Sequence, residues 1–462
     1  MTDNNPAEFL SQRTRGRSNY IKLNKEVKWH TPQGFGSEKL HGKGDLKMKN
    51  SGKLLTTCLL AVSLLVPSMN VSANGESSTD NFRVFIDAEN KNEIANLKEQ
   101  FEVQWEFEEG FTTEVNENQF RALQKDNSIN IEKVPEYTIE TTSFEPEAIF
   151  NTNTADQSIP WGISAIYNNS SLTSTSGGSN INIAVLDTGV DINHPDLARN
   201  IQQCKDFTIN KQIRNNSCTD RQGHGTHVAG SALANGGGGN GVYGVAPQAN
   251  LWAYKVLGDN GSGTADDIAA AIRHAADQAV ALDTNVIINM SLGSSVENSL
   301  VTDAVNYAYS KGLLIVAAAG NLGPAEGTIG HPGALKNTVA VAALEKTIRN
   351  GTHRVANFSS RGYRATDGDY IIQKGDIEIS APGAAVYSTW LNGGYATFNG
   401  TSMASPHIAG LAAIVWSQYP AATNLQVRED LQNRAYFYDI LSGIGAGIGD
   451  DYASGFGFAR VN

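Results

Sequence analysis

Ile181-Asn182-Ile183-Ala184-Val185-Leu186-Asp187-Thr188-Gly189 is a nearly unbroken apolar run that ends in a carboxylate and a glycine. A strand with one wet face alternates apolar and polar residues. This one is apolar on both faces, so it belongs inside a sheet covered from both sides. Residues 251–256, 286–290, 313–318 and 339–343 have the same character. Apolar positions recur at helical spacing over 265–282, 297–311 and 402–418, with a shorter pattern over 425–434. This alternation predicts an α/β fold, a doubly wound, mainly parallel sheet with helices on both faces. Its chemistry belongs at the carboxyl ends of the strands, where Asp187 stands.

Two segments further out carry complementary groups. Asp220-Arg221-Gln222-Gly223-His224-Gly225-Thr226-His227-Val228-Ala229-Gly230 places a histidine at the start of a helical pattern. Asn399-Gly400-Thr401-Ser402-Met403-Ala404-Ser405-Pro406-His407 places a serine at the start of another, with Pro406 expected in the first turn, where proline is tolerated. Nucleophilic acyl transfer needs a hydroxyl, a base for its proton, and a carboxylate that holds the base in one tautomer. Val316-Ala317-Ala318-Ala319-Gly320-Asn321 ends a further buried run in an amide, a donor suited to an oxyanion.

The order Asp, His, Ser is that of subtilisin. With separations of 37 and 178 residues, the three segments resemble the subtilase family of serine proteases, from about Gln157 to the C-terminus. The resemblance implies that Asp187, His224 and Ser402 are the triad and that Asn321 shares the oxyanion with the serine N–H. It further implies that Gly261-Ser262-Gly263 and Ser291-Leu292-Gly293 pair with an extended substrate as added strands. The pocket before the scissile bond would be lined by 291–293, 318–320 and Gly330. No acidic residue occurs among them, and Leu322 follows Asn321, so large apolar or aromatic side chains are the expected preference. Gln157 and Asp196 match two ligands of the family's tight calcium site. Its ligand loop falls on Gly236-Gly237-Gly238-Gly239, which leaves Asn235, Asn240 and Val242 as donors. Other readings explain less. Asp-Thr-Gly also occurs in aspartic proteases, but there two such carboxylates share a proton and here the motif occurs once. His224 and His227 lack the HExxH spacing of a zinc site; His227 and His407 read as histidines packed within helices.

Lys49 and Lys53 precede an apolar run of thirteen residues, and Val71-Ser72-Ala73 follows, so 48–73 reads as a secretory signal. The run is too short for a hydrocarbon core of roughly 30 Å, so no stable membrane anchor is expected. Residues 1–47 are polar and read as a leader or upstream translation ahead of Met48. Residues 75–142 show a β-α-β-β-α-β order: strands at 82–87, 101–108, 111–115 and 129–139, with helices at 90–100 and 117–125. This resembles the subtilase propeptide, a small ferredoxin-like α+β domain that assists folding and blocks the site until removed. Residues 143–155 then read as linker and processing region, and 156–462 as the catalytic domain. After export only Cys204 and Cys218 remain, fourteen residues apart, which suggests one disulfide. Two free thiols or a zinc site are the alternatives, though zinc would lack a second CxxC or a nearby His pair. With 40% hydrophobic and 18% charged residues the chain can bury a large core. A net charge of −12 argues against nucleic acid or anionic membrane as partner. The expected product is a secreted, monomeric endopeptidase acting on polypeptides.

Overall fold

The computed structural model describes residues 81–139, 148–150, 155, 158–209 and 212–461. The expected leader, signal, most of the processing region and Gln157 lie outside them. The N-terminal module runs β1 (Phe82–Asp87), α1 (Lys91–Gln100), β2 (Gly110–Val115), α2 (Glu117–Leu123) and β3 (Asn130–Lys133). β1 is central and antiparallel to both neighbours. Val84, Ile86, Phe111, Val115 and Phe120 close a small core between this sheet and the helices. The stretch expected as a strand over 101–108 bonds to β2 through Gln104, Trp105 and Phe107 but makes only an isolated bridge at Glu106. The physical reason lies in its aromatics. Trp105 and Phe107 turn away from the module's own core and pack instead with residues of the main sheet and of the helices at 265–281 and 299–310.

The expected final strand over 129–139 splits in two. β3 stays in the module, and β4 (Glu136–Ile139) leaves it to pair elsewhere. β5 (Ala148–Phe150) is a short strand beyond.

The rest begins with α3 (Trp161–Ile166), β6 (Asn182–Asp187), β7 (Ile201–Asp206), β8 (Arg214–Asn215) and α4 (His224–Leu233). It continues through β9 (Asn250–Lys255), β10 (Ser262–Thr264), α5 (Ala265–Ala281), β11 (Val286–Met290), β12 (Leu292–Gly293), α6 (Ser299–Ser310) and β13 (Leu314–Ala318). Then come β14 (Val339–Arg349), β15 (Thr352–Val355), β16 (Ile379–Pro382), β17 (Val386–Thr389), β18 (Tyr395–Phe398), α7 (Thr401–Gln418) and α8 (Asn424–Tyr436). The main sheet has the order β15-β14-β13-β11-β6-β9-β7-β8, with β16 also on β14. Its central pairings are all parallel; β15 and β8 are antiparallel flanks.

β6 shows why the apolar run was diagnostic. Ile183 and Val185 enter one core with α4, α7 and α8, while Ala184 and Leu186 enter the other with α5 and α6. β14 extends six residues past the expected 343; its second half is exposed and is held by the hairpin to β15 rather than by burial. Cys204 on β7 is disulfide-bonded to Cys218, which ties that strand to the loop leading into α4.

Candidate active site

Asp187 ends β6, and the chain must bring a helix start against it. Gly225 allows this approach: a Cβ there would sit 2.1 Å from the Gly189 carbonyl oxygen. Gly223, at φ 104°, makes the turn that begins α4 in a conformation that favours glycine. As a result His224 Nδ1 lies 2.8 Å from Asp187 Oδ1, with both side chains buried. The same carboxylate oxygen accepts the Thr188 N–H at 2.8 Å. Asp187 thereby fixes the ring so that Nε2 is the free nitrogen, and His224 Nε2 has no hydrogen-bond partner among the described residues.

Asp220 was quoted in the sequence without a role, and the structure gives it one. Its Oδ1 accepts from Thr188 Oγ1 and from the N–H groups of Gln222 and Gly223. Its Oδ2 accepts from Thr226 N and Thr226 Oγ1. The buried carboxylate thus organises the loop that presents His224. Burial pushes its carboxyl up, opposed by those bonds. An acidic residue just ahead of a helix start was the available signal.

Ser402 is the second residue of α7, and its hydroxyl donates to the Ser291 carbonyl at 3.1 Å. Pro406 falls in the second turn rather than the first, and its missing N–H leaves the Ser402 carbonyl without a helical donor. Ser291 Oγ supplies that donor at 2.8 Å. Asn289 Nδ2 donates to Ser291 Oγ, and Ser405 Oγ to Asn289 Oδ1, so one network locks the serine turn to the end of β11. Asn321, just beyond β13, accepts from Thr401 N at 2.9 Å through Oδ1, while its Nδ2 is buried with no partner among the described residues. A directed, unsatisfied amide donor beside a serine at a helix start is what a developing oxyanion requires.

His227 and His407 pack as expected. His227 Nε2 faces the carbonyls of Val386 and Ala396, and His407 Nδ1 faces that of Met403. Burial depresses their imidazoles to about 3 and about 4.

The segments expected to pair with substrate come together around a strand of the chain itself. β4 lies antiparallel between β10 and β12, with Gly263 opposite Tyr137, Ser262 and Gly293 opposite Thr138, and Leu292 opposite Ile139. Ile139 N donates to the Gly261 carbonyl at 3.0 Å. Gly330 bonds through its N–H to Ala319, which brings it beside the end of β13. Tyr137 is wholly buried in the α5–α6 core, and desolvation pushes its phenol up.

The residues expected to hold calcium are only partly assembled. Asp196 Oδ2 accepts from Val242 N at 2.7 Å and Tyr395 OH at 3.2 Å, whereas its buried Oδ1 has no partner among the described residues. That oxygen faces the glycine loop: a Cβ at Gly241 would meet it at 1.9 Å and one at Gly237 at 2.2 Å. Asn235 Oδ1 is already accepting from Gly237 N, and the Asn240 carbonyl from Ala155 N. One orphaned, buried carboxylate oxygen facing the glycine loop is the kind of hard donor a calcium ion takes. Among the described residues no three His, Cys, Asp or Glu side chains cluster as metal ligands.

The profile of the subtilase family matches residues 178–457. The chain is 67% identical to a subtilisin of Bacillus sp. over 419 residues, 90% of this chain and all of that one. It is 33% identical to subtilisin E of Bacillus subtilis, over 84% of this chain and 94% of the relative. Among solved structures it is similar to a psychrophilic protease (TM-score 0.66, 74% identity) and to sphericase (TM-score 0.66, 69% identity), covering 67% of this chain and all of each.

Proposed function

The chain belongs to the subtilase family and is a serine endopeptidase, and from that premise we propose that Ser402, His224, Asp187 and Asn321 carry its reaction. The observation that supports this most is the buried His224–Asp187 bond with Nε2 left over, at the start of α4, the helix that packs against α7 where Ser402 stands. His224 Nε2 takes the Ser402 proton as Oγ bonds to the substrate carbonyl carbon. The oxyanion is met by Asn321 Nδ2 and the Ser402 N–H. On collapse the C–N bond breaks and the amine leaves with the proton from His224. Water, deprotonated by the same imidazole, then releases the acyl group and restores the serine. A serine-directed sulfonyl fluoride is expected to label wild type once, at Ser402, and abolish hydrolysis. Residual hydrolysis, or label on Ser402→Ala, would sink the assignment.

Residues 75–142 act as a propeptide that silences the cleft, with β4 standing where substrate would pair with Gly261, Ser262, Gly263, Ser291, Leu292 and Gly293. The signal at 48–73 exports the chain, and removal of 1–155 leaves the mature enzyme. Mass spectrometry of the secreted wild type beside Ser402→Ala tests both cuts; identical masses would remove self-processing. The pocket at 318–320 and Gly330 favours apolar or aromatic side chains before the cut bond, and faster cleavage after Arg or Lys would overturn that preference. Asp196, Asn235, Asn240 and Val242 would hold a structural calcium ion, with Gln157, outside the described residues, as the further ligand the family resemblance implies.

A further inference from the structure

Strand β4 is not the only hold between the module and the catalytic domain. α5 opens with two adjacent carboxylates, Asp266 and Asp267, which are 0% and 6% exposed. Arg83 reaches both from β1. Its Nη1 lies 3.2 Å from Asp266 Oδ1 and 3.1 Å from Asp267 Oδ1, and donates to Thr264 Oγ1 at 2.9 Å. Trp105 donates its indole N–H to Asp267 Oδ1 at 2.7 Å, and Thr112 its hydroxyl to Asp266 Oδ2 at 2.8 Å. Three donors from three segments of the module therefore converge on one helix end. Glu114 of β2 stands on the other side of the guanidinium, at 3.8 Å.

The helix dipole eases negative charge at this end. Two buried like charges still require a counter-cation, and here the module brings it. Pairing of β4 with β10 and β12 runs through main-chain groups and tolerates many sequences. The carboxylate pair does not: it selects a fork of N–H donors with fixed spacing.

We propose that Asp266 and Asp267 form the docking site that recognises the N-terminal module, through a guanidinium flanked by an indole N–H and a hydroxyl, and that this contact makes release of the module depend on pH. The inference rests on reading that module as the silencer of the cleft. In the docked state the Asp267 carboxyl is pushed up to about 7, by burial first and by Asp266 beside it second, with Arg83 opposing. Released into water it returns to the ordinary carboxylate range near 3.9. Between about 4 and about 7 the docked form thus holds a proton that the released form does not. Docking is therefore firmest at the acid end and weakens as pH rises through about 7. Acid tightens the contact because one shared proton relieves the two carboxylates while a single charge stays opposite Arg83.

The test uses the full chain with Ser402 intact, timing the lag before hydrolysis of a chromogenic peptide from pH 5 to pH 9. Arg83→Met is expected to shorten the lag by at least about tenfold, as truncation of a buried interfacial charge pair does. Dividing the wild-type lag by that of Asp267→Asn at each pH cancels the pH dependence of the catalysed reaction itself; the quotient is expected to fall as pH rises towards 7 and then level. Titration with the sulfonyl fluoride counts folded molecules. If Arg83→Met yields none, Arg83→Lys replaces it and is expected to shorten the lag by less. Lags that are the same for wild type and every Arg83 variant, with a flat quotient, would overturn the proposal alone. A wild-type chain with no lag at all would remove the silencing module and the proposal with it.

Discussion

Asn321 is tied down at one end of its amide and open at the other. Oδ1 is held by the N–H and hydroxyl of Thr401, while Nδ2 is buried without a partner among the described residues. A buried unsatisfied donor costs about 1–3 kcal/mol, so the fold keeps it against its own stability. Asn321→Ala is expected to lower kcat by about 10²–10³ while KM moves little. Steady-state kinetics on a small peptide decide this, and an unchanged kcat would end the oxyanion role. Periodicity placed Asp187 and Asn321 at strand ends and His224 and Ser402 at helix starts; the roles proposed for them came from the resemblance of their motifs to the subtilase family. Asn289 and Ser405 were not, because they act on each other across 116 residues and neither breaks its local pattern. Pro406 was legible only as a helix-start residue; that its missing donor is replaced by Ser291 needed the packed structure.

α4 and α7 are buried along nearly their whole length, and each carries a histidine that the fold keeps neutral. His227 is depressed to about 3 and His407 to about 4, mainly by desolvation. In the unfolded chain both titrate near 6.5, so below that pH the unfolded state binds more protons and gains on the folded one. Stability is expected to be intact above about 6.5 and to drain away as pH falls towards about 3. Thermal unfolding of Ser402→Ala from pH 7 to pH 3 checks this against the same protein carrying His227→Gln, whose decline should be shallower. A melting temperature that holds steady from pH 7 to pH 4 would contradict it. The central strands and the helices over 265–282 and 402–418 were readable because both faces of each strand, or a broad helical face, are apolar. β17 and β18 were not, since their hydrogen bonds come from a hairpin that packs on α4 rather than from a covered sheet. The stretch 101–108 misled for a related reason: Trp105 and Phe107 belong to the core of the main sheet and its helices rather than to the module's own.

Across the whole molecule, cross-links hold loops that burial alone does not. Closing the loop between Cys204 and Cys218 is worth about 3 kcal/mol in the chain-entropy model. The double variant Cys204→Ser/Cys218→Ser is expected to melt roughly 5 °C or more lower. An unchanged melting temperature would show that the loop is ordered without the bond. Removal of calcium with a chelator is expected to lower the melting temperature of wild type and to leave Asp196→Asn unaffected; equal losses in both would place the ion elsewhere. The three-stranded arrangement of β10, β4 and β12 has a consequence for populations rather than for single molecules. On the reading proposed above, an internal competitor in the cleft would act at a high fixed effective concentration, so few molecules would free themselves unaided. Each one that did could digest the silencing segments of its neighbours, and activation would become a chain reaction. The lag should then shorten as protein concentration rises, and a lag independent of concentration would mean that every molecule frees itself alone. Such a pool behaves as a threshold device, quiet when sparse and abruptly active when crowded.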